Sequence, residues 1–269
     1  MRTPLLSRAL ACAAVVLLCG AGLADAAPSA PKLSWSDEFS GAAGSAPNPA
    51  KWNYDTGGGG WGNQELEYYT NSRNNSFLDG AGHLVIQARK DDAAKYHCWY
   101  GTCQYTSARL LTSGKFSQTY GRFEARVQVP GGQGVWPAFW ALGANIGSVG
   151  WPACGEIDAM ENIGREPNQV HGSLHGPNGY NTSSTYTLGS PVSAGFHTFA
   201  ADWYPDHIAF SVDGHVYNTQ QRPASGWVFD KPFFLLLNLA IGGNWPGSPN
   251  GATHFPAKML VDYVRVYTH

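Results

Sequence analysis

Gly155-Glu156-Ile157-Asp158-Ala159-Met160-Glu161-Asn162 packs three carboxylates into a short stretch of a chain that is only 13% charged. Its small and apolar neighbours read as a strand. Side chains then alternate with a period of two, so Glu156 and Asp158 share one face. Strict alternation would send Glu161 to the opposite face beside Ile157, where an unpaired carboxylate is costly to bury. One extra residue near Ala159 or Met160, a β-bulge, returns Glu161 to the acidic face, and bulges often re-aim side chains beside reactive sites. With the bulge the two glutamates lie about four strand steps apart, roughly 13 Å between Cα atoms. Leaning together, their carboxyls approach to about 5–7 Å, which overlaps the ~5–5.5 Å of retaining sugar-cleaving pairs and touches the inverting range.

Outward from this stretch the chain keeps the same character. Ala138–Leu142 reads as a strand, with Trp136, Ala138 and Trp140 on one strand face, and Trp151 precedes the acidic strand. Indoles around carboxylates suit a saccharide groove, because aromatic rings stack on sugar C–H faces while polar neighbours take the hydroxyls. Pro137 in that run predicts a strand edge or a bulge. Strands also read over Leu84–Arg89, 121–129, 170–175, 197–203, 207–212, 233–240 and 258–267. Asp213-Gly214 is a hairpin signal between Ile208–Val212 and Val216–Tyr217. Many short strands with few helical periods predict an all-β sandwich or jelly roll. His171, Ser173 and His175 would share a face. Asn63, Arg109, Asn238 and Trp245 sit in glycine-rich or strand-end contexts.

Residues 1–26 read as a secretory signal peptide, with Arg2 and Arg8 ahead of an apolar run and Ala24-Asp25-Ala26 as cleavage signal. The expected location is outside the cell or in its envelope, with 27–269 a single catalytic domain. The net charge of −2 and the lack of a basic run speak against nucleic acid and anionic membranes as partners. No stretch suits a membrane span, and the chain is expected to be a monomer. Cys98 and Cys103 are spaced to close a small disulfide loop in an oxidising compartment. Cys154 is left over and, with no basic neighbour, reads as an inert thiol. Neither zinc-protease nor serine-hydrolase motifs occur.

The run WPACGEIDAMENIG resembles the E-x-D-x-x-E signature of glycoside hydrolase family 16, in its laminarinase-like branch. WSDEF, WGNQELEYYT, SARLLTSGKF, YGRFEARVQVPGGQGVWPAFWALG, VHGSLHGP, LLNLAIGGNWPG and VDYVRVY extend the likeness over nearly the whole chain after the leader. The resemblance implies a β-jelly-roll sandwich of two curved antiparallel sheets with an open concave cleft. It implies endo-hydrolysis of β-1,3-glucan with retention. By position, Glu156 would be the nucleophile, Glu161 the general acid and then base, and Asp158 their assistant. Trp136, Trp140, Trp151 and His175 would line the cleft, with Asn63 and Arg109 on sugar hydroxyls. No catalytic cofactor is implied. A structural calcium is, at positions matching Glu38, Gly82 and Asp262. Asp262, inside an apolar strand, requires some partner in any case. The same scaffold also hosts mixed-linkage β-1,3-1,4-glucanases, agarases and carrageenases, and non-catalytic β-glucan-binding modules that lack one or both glutamates.

Overall fold

The computed structural model describes residue 1 and residues 31–269, so the signal peptide read at 1–26 lies, beyond its first residue, outside the described residues. Two antiparallel sheets face each other. One has seven strands in the spatial order Asn181–Thr187, Gln169–His175, Glu156–Glu161, Val135–Gly143, Phe233–Ile241, Arg109–Leu111, Asn53–Asp55. The other has eight: His215–Gln221, His207–Val212, His197–Trp203, Gly121–Gln128, Ala257–Thr268, Leu84–Ala88 and Ser76–Leu78, with Lys32–Asp37 also on Ala257–Thr268. Most neighbours in space are distant in sequence, so the all-β jelly roll expected from the strand pattern is the fold found. Among the described residues no helix is long and apolar enough to cross a membrane.

The core follows from the side-chain pattern. Gly121–Gln128 alternates buried and half-buried residues and sends Phe123, Ala125 and Val127 between the sheets. Phe233–Ile241 is buried at every position. Its odd-numbered residues enter the main core, while Phe234 and Leu236 pack on the other face with Leu142 and Cys154. A strand covered on both faces needs a nearly continuous apolar run, which this one is except at Asn238. Asp213 and Gly214 both take positive φ (50° and 79°) between paired Val212 and His215, the primed turn that suits a hairpin.

Pro137 departs from its reading. It lies in a central strand, paired with Leu239. Its carbonyl accepts from Asn162 N (3.3 Å), so the missing N–H falls where the adjacent Glu156–Glu161 strand has just ended. No ladder bond is lost there.

The outer face of the eight-stranded sheet is knitted by cross-strand charge pairs. Arg122 bridges Glu124 (2.7 Å) and Asp202 (2.5 Å), Arg126 holds Asp262 (2.5 Å), and Arg265 takes both oxygens of Glu38 (3.0 and 2.7 Å). The partner that Asp262 requires is therefore an arginine. Gly82 lies in the bend leading into Leu84–Ala88. Calcium wants several oxygens free to converge on one point. With guanidinium groups on the carboxylates of Glu38 and Asp262, these side chains do not fit the ion as they stand.

Candidate active site

The bulge is present and lies where parity requires it. Asp158 pairs with Ser173 and Glu161 with His171, so three steps on the acidic strand match two on its neighbour. On the other side Met160 faces Phe139 and Asp158 faces Trp140 across the same irregularity. Ala159 and Met160 both enter the core, and Glu156, Asp158 and Glu161 all leave it. Gly155 admits the chain to this strand with φ 81°; a Cβ there would lie 2.8 Å from the Phe233 ring.

Register then builds a row straight across the sheet: Thr185, His171, Glu161, Ala138, Asn238, Arg109 and Asp55 are successive cross-strand partners. Parallel to it run Ser183, Ser173, Asp158 and Trp140, then Asn181, His175 and Glu156. Side chains distant in sequence thus line one continuous outer face.

Each glutamate accepts an indole N–H. Trp136 Nε1 donates to Glu161 Oε1 (3.0 Å) and Trp151 Nε1 to Glu156 Oε2 (2.9 Å). His175 Nε2 lies 3.1 Å from Asp158 Oδ2 and 3.7 Å from Glu156 Oε1. Trp245 sets its ring edge-on against both Trp136 and His171, and His171 is held by Thr185 (3.0 Å) and Glu166 (3.3 Å). Burial and the Asp158 charge push Glu156 up to about 8. Burial raises Asp158 well above the carboxylate range, and burial together with Asp158 and Glu156 does the same to Glu161. Three clustered carboxyls cannot all ionise cheaply. Burial thus holds all three toward their protonated forms, while the Trp151 N–H favours the charged form of Glu156.

Further along the row, the Arg109 guanidinium lies over both Trp61 (4.8 Å to the ring centre) and Trp140 (4.7 Å), and its Nε is 3.0 Å from Asp55. Asn63 Nδ2 donates to Glu65 Oε1 (3.1 Å). Tyr69 Oη donates to Glu65 Oε2 (3.0 Å), Asn238 Nδ2 to Tyr69 Oη (3.0 Å), and Trp140 Nε1 to Asn238 Oδ1 (2.7 Å). Glu67 is fully buried beside Glu65; burial and the Glu65 charge raise it well above its ordinary range, and its Oε2 accepts from Ile241 N (2.7 Å). This buried network supports the Trp140 indole from below. Sequence reasoning missed Glu65, Glu67, Tyr69 and Trp61. The signal was there in part, since Glu65, Glu67 and Tyr69 recur at every second residue.

The structure thus gathers Glu156, Asp158, Glu161, His175, Trp136, Trp140 and Trp151 around one face, with Arg109 and Asn63 at one end of it. Glu38, Gly82 and Asp262 belong to the other sheet and its approach. Cys98 and Cys103 form a disulfide, and Cys154 is a buried free thiol whose pKa burial raises, which leaves it unreactive. Among the described residues, Glu156, Asp158 and His175 are the only such cluster able to converge on a metal ion. A protonated Glu161 facing an ionisable Glu156 on an indole-lined face is an arrangement for acid-assisted displacement at a sugar carbon.

Residues 63–265 match the Glycosyl hydrolases family 16. A beta-glucanase of Rhodothermus marinus is 43% identical over 252 residues, 88% of this chain and 85% of its own. The solved endo-beta-1,3-glucanase from Pyrococcus furiosus has a TM-score of 0.82 at 47% identity, covering 88% of this chain and 94% of that one. The laminarinase catalytic domain from Thermotoga maritima also scores 0.82, at 44% identity over 89% and 98% of the two chains.

Proposed function

This chain belongs to glycosyl hydrolase family 16, and from that membership we propose that it is an endo-acting hydrolase of β-1,3-glucan working with retention of configuration. The bulged acidic strand carries the reading, because it sets Glu156, Asp158 and Glu161 on one face beside the indole N–H groups of Trp151 and Trp136.

In the proposed reaction Glu161 gives its proton to the glycosidic oxygen as Glu156 attacks the anomeric carbon and forms an ester. Glu161, now a carboxylate, takes a proton from water, which releases the sugar with its configuration restored. Burial keeps Glu161 protonated for the first half, and the Trp151 hydrogen bond favours the charged form of Glu156. Asp158 and His175 lie against Glu156 and steady its orientation. Trp136, Trp140, Arg109 and Asn63 take the sugar rings and hydroxyls on either side. No step uses a metal ion. Export is part of the same proposal: a polymer too large to enter a cell is met outside it, and the Cys98–Cys103 bond suits an oxidising compartment.

The test is reducing-sugar release from laminarin by wild type and Glu156→Gln, with NMR of the first product. Wild type should release β-configured ends and the variant none. Equal release by both, or an α first product, would defeat the assignment. Laminarin against barley mixed-linkage glucan then fixes the linkage preference.

A further inference from the structure

Among the described residues two tryptophans are strongly exposed, Trp151 (60%) and Trp99 (50%). Trp151 is accounted for by its bond to Glu156. Trp99 stands on the loop closed by Cys98 and Cys103, and nothing in the proposed reaction uses it.

Its position follows from the register row. The row ends at Asp55, and the chain runs from there directly into the Gly57–Gly60 loop and on to Trp61, which covers Arg109. Trp99 lies on that loop. Its backbone N donates to Gly58 O (2.8 Å), and its Nε1 donates to Glu65 O (2.8 Å), two residues from Asn63. Gly60, at φ 79°, gives the indole a bare flank to lie on, since a Cβ there would come within 2.9 Å of Trp99 Cδ1. Tyr100 Oη donates to Leu66 O (2.5 Å), and Tyr68 stacks on Tyr96, so the disulfide loop is tied to the cleft loop at several points.

The result is a rigid indole, pinned by its N–H, with half its surface in water. Pinning the loop needs only the edge of the ring, so the open face is left without a structural purpose. Its exposed neighbours Gln64, Thr102 and Gln104 are polar. The indole also meets the Tyr100 ring edge-to-face (5.4 Å between centres), and an exposed aromatic flanked by polar residues matches a sugar, whereas a protein partner would want a contiguous apolar patch.

We propose that Trp99 is a sugar-stacking platform at the outer end of the groove, taking a glucosyl unit of a bound β-glucan chain beyond Trp61 and Arg109. This rests on the β-1,3-glucan reading above. A platform so placed acts on long chains and is out of reach of short ones.

The test compares kcat/KM on laminarin and on laminaritriose for wild type, Trp99→Ala and Trp99→Phe. The ratio of polymer to trisaccharide efficiency should fall about tenfold in Trp99→Ala, through KM, the size of one good stacking contact. Trp99→Phe, which keeps a ring but loses the Nε1 bond, should recover most of it. An unchanged ratio in Trp99→Ala overturns the platform. So does an equal loss on both substrates that Trp99→Phe shares, since that is the mark of a loop stitch. If wild type cleaves neither substrate, the β-glucan reading itself falls and takes this ligand with it.

Discussion

Glu156 shows at one residue how reactivity and stability oppose each other. Its folded pKa, raised from 4.5 to about 8, means the unfolded chain ionises first as pH rises. Stability attached to this carboxyl is therefore intact below about 4.5 and is lost progressively up to about 8. Glu156→Gln keeps an acceptor for Trp151 and removes the charge. It should abolish hydrolysis yet raise Tm by several degrees at pH 8 and by less at pH 5, on the scale of roughly 2–4 °C per kcal/mol for a domain of this size. A melting series at the two pH values reads this, and a variant less stable than wild type at pH 8 would contradict it. Glu67 makes the complementary case. Raised by burial and by Glu65, it is held toward its neutral form, so a neutral amide can replace it. Urea unfolding should place Glu67→Gln within about 1 kcal/mol of wild type and Glu67→Ala about 2–4 kcal/mol below, because alanine leaves Ile241 N unpaired and a cavity in the interior.

At the scale of the element, the acidic strand was legible because parity is unforgiving. With alternation fixed, only a bulge keeps Glu161 out of the core, and the register shows one. Deleting Ala159 restores regular alternation and still leaves Glu156, Asp158 and Glu161 on one face. That deletion should keep measurable laminarin hydrolysis; complete loss in a folded variant would mean that the bend itself aims Glu161. Gly155→Ala strains a φ of 81° and drives a Cβ at Phe233, so it should lower unfolding stability by about 1–3 kcal/mol in urea. Other elements hid their nature. Asn181–Thr187 reads NTSSTYT, which has no apolar alternation because its outward face is wet and it is an edge. Asn53–Asp55 and Arg109–Leu111 are three residues long, too short for any period to register. Arg109 was a candidate on its motif, yet its place between Trp61 and Trp140 joins three separate segments. The network from Glu65 through Tyr69 and Asn238 to Trp140 is closed by contacts between residues far apart in sequence, and no local pattern announces it.

For the whole molecule, buried acids set the response to pH. Glu67, Glu156, Asp158 and Glu161 all keep protons that the unfolded chain gives up. Glu38 and Asp79 pull the other way, but each is shifted less and lies nearer the surface. Tm should therefore peak near pH 5 and decline toward pH 8, and a calorimetric scan that rose over this interval would contradict the count of buried protons. The two broad faces differ in kind: one is indole and carboxyl, the other a lattice of arginines satisfied by Glu38, Glu124, Asp202 and Asp262. On the proposed reading, one copy of this chain offers a glucan strand a single binding face, since the opposite face is already occupied by its own ion pairs.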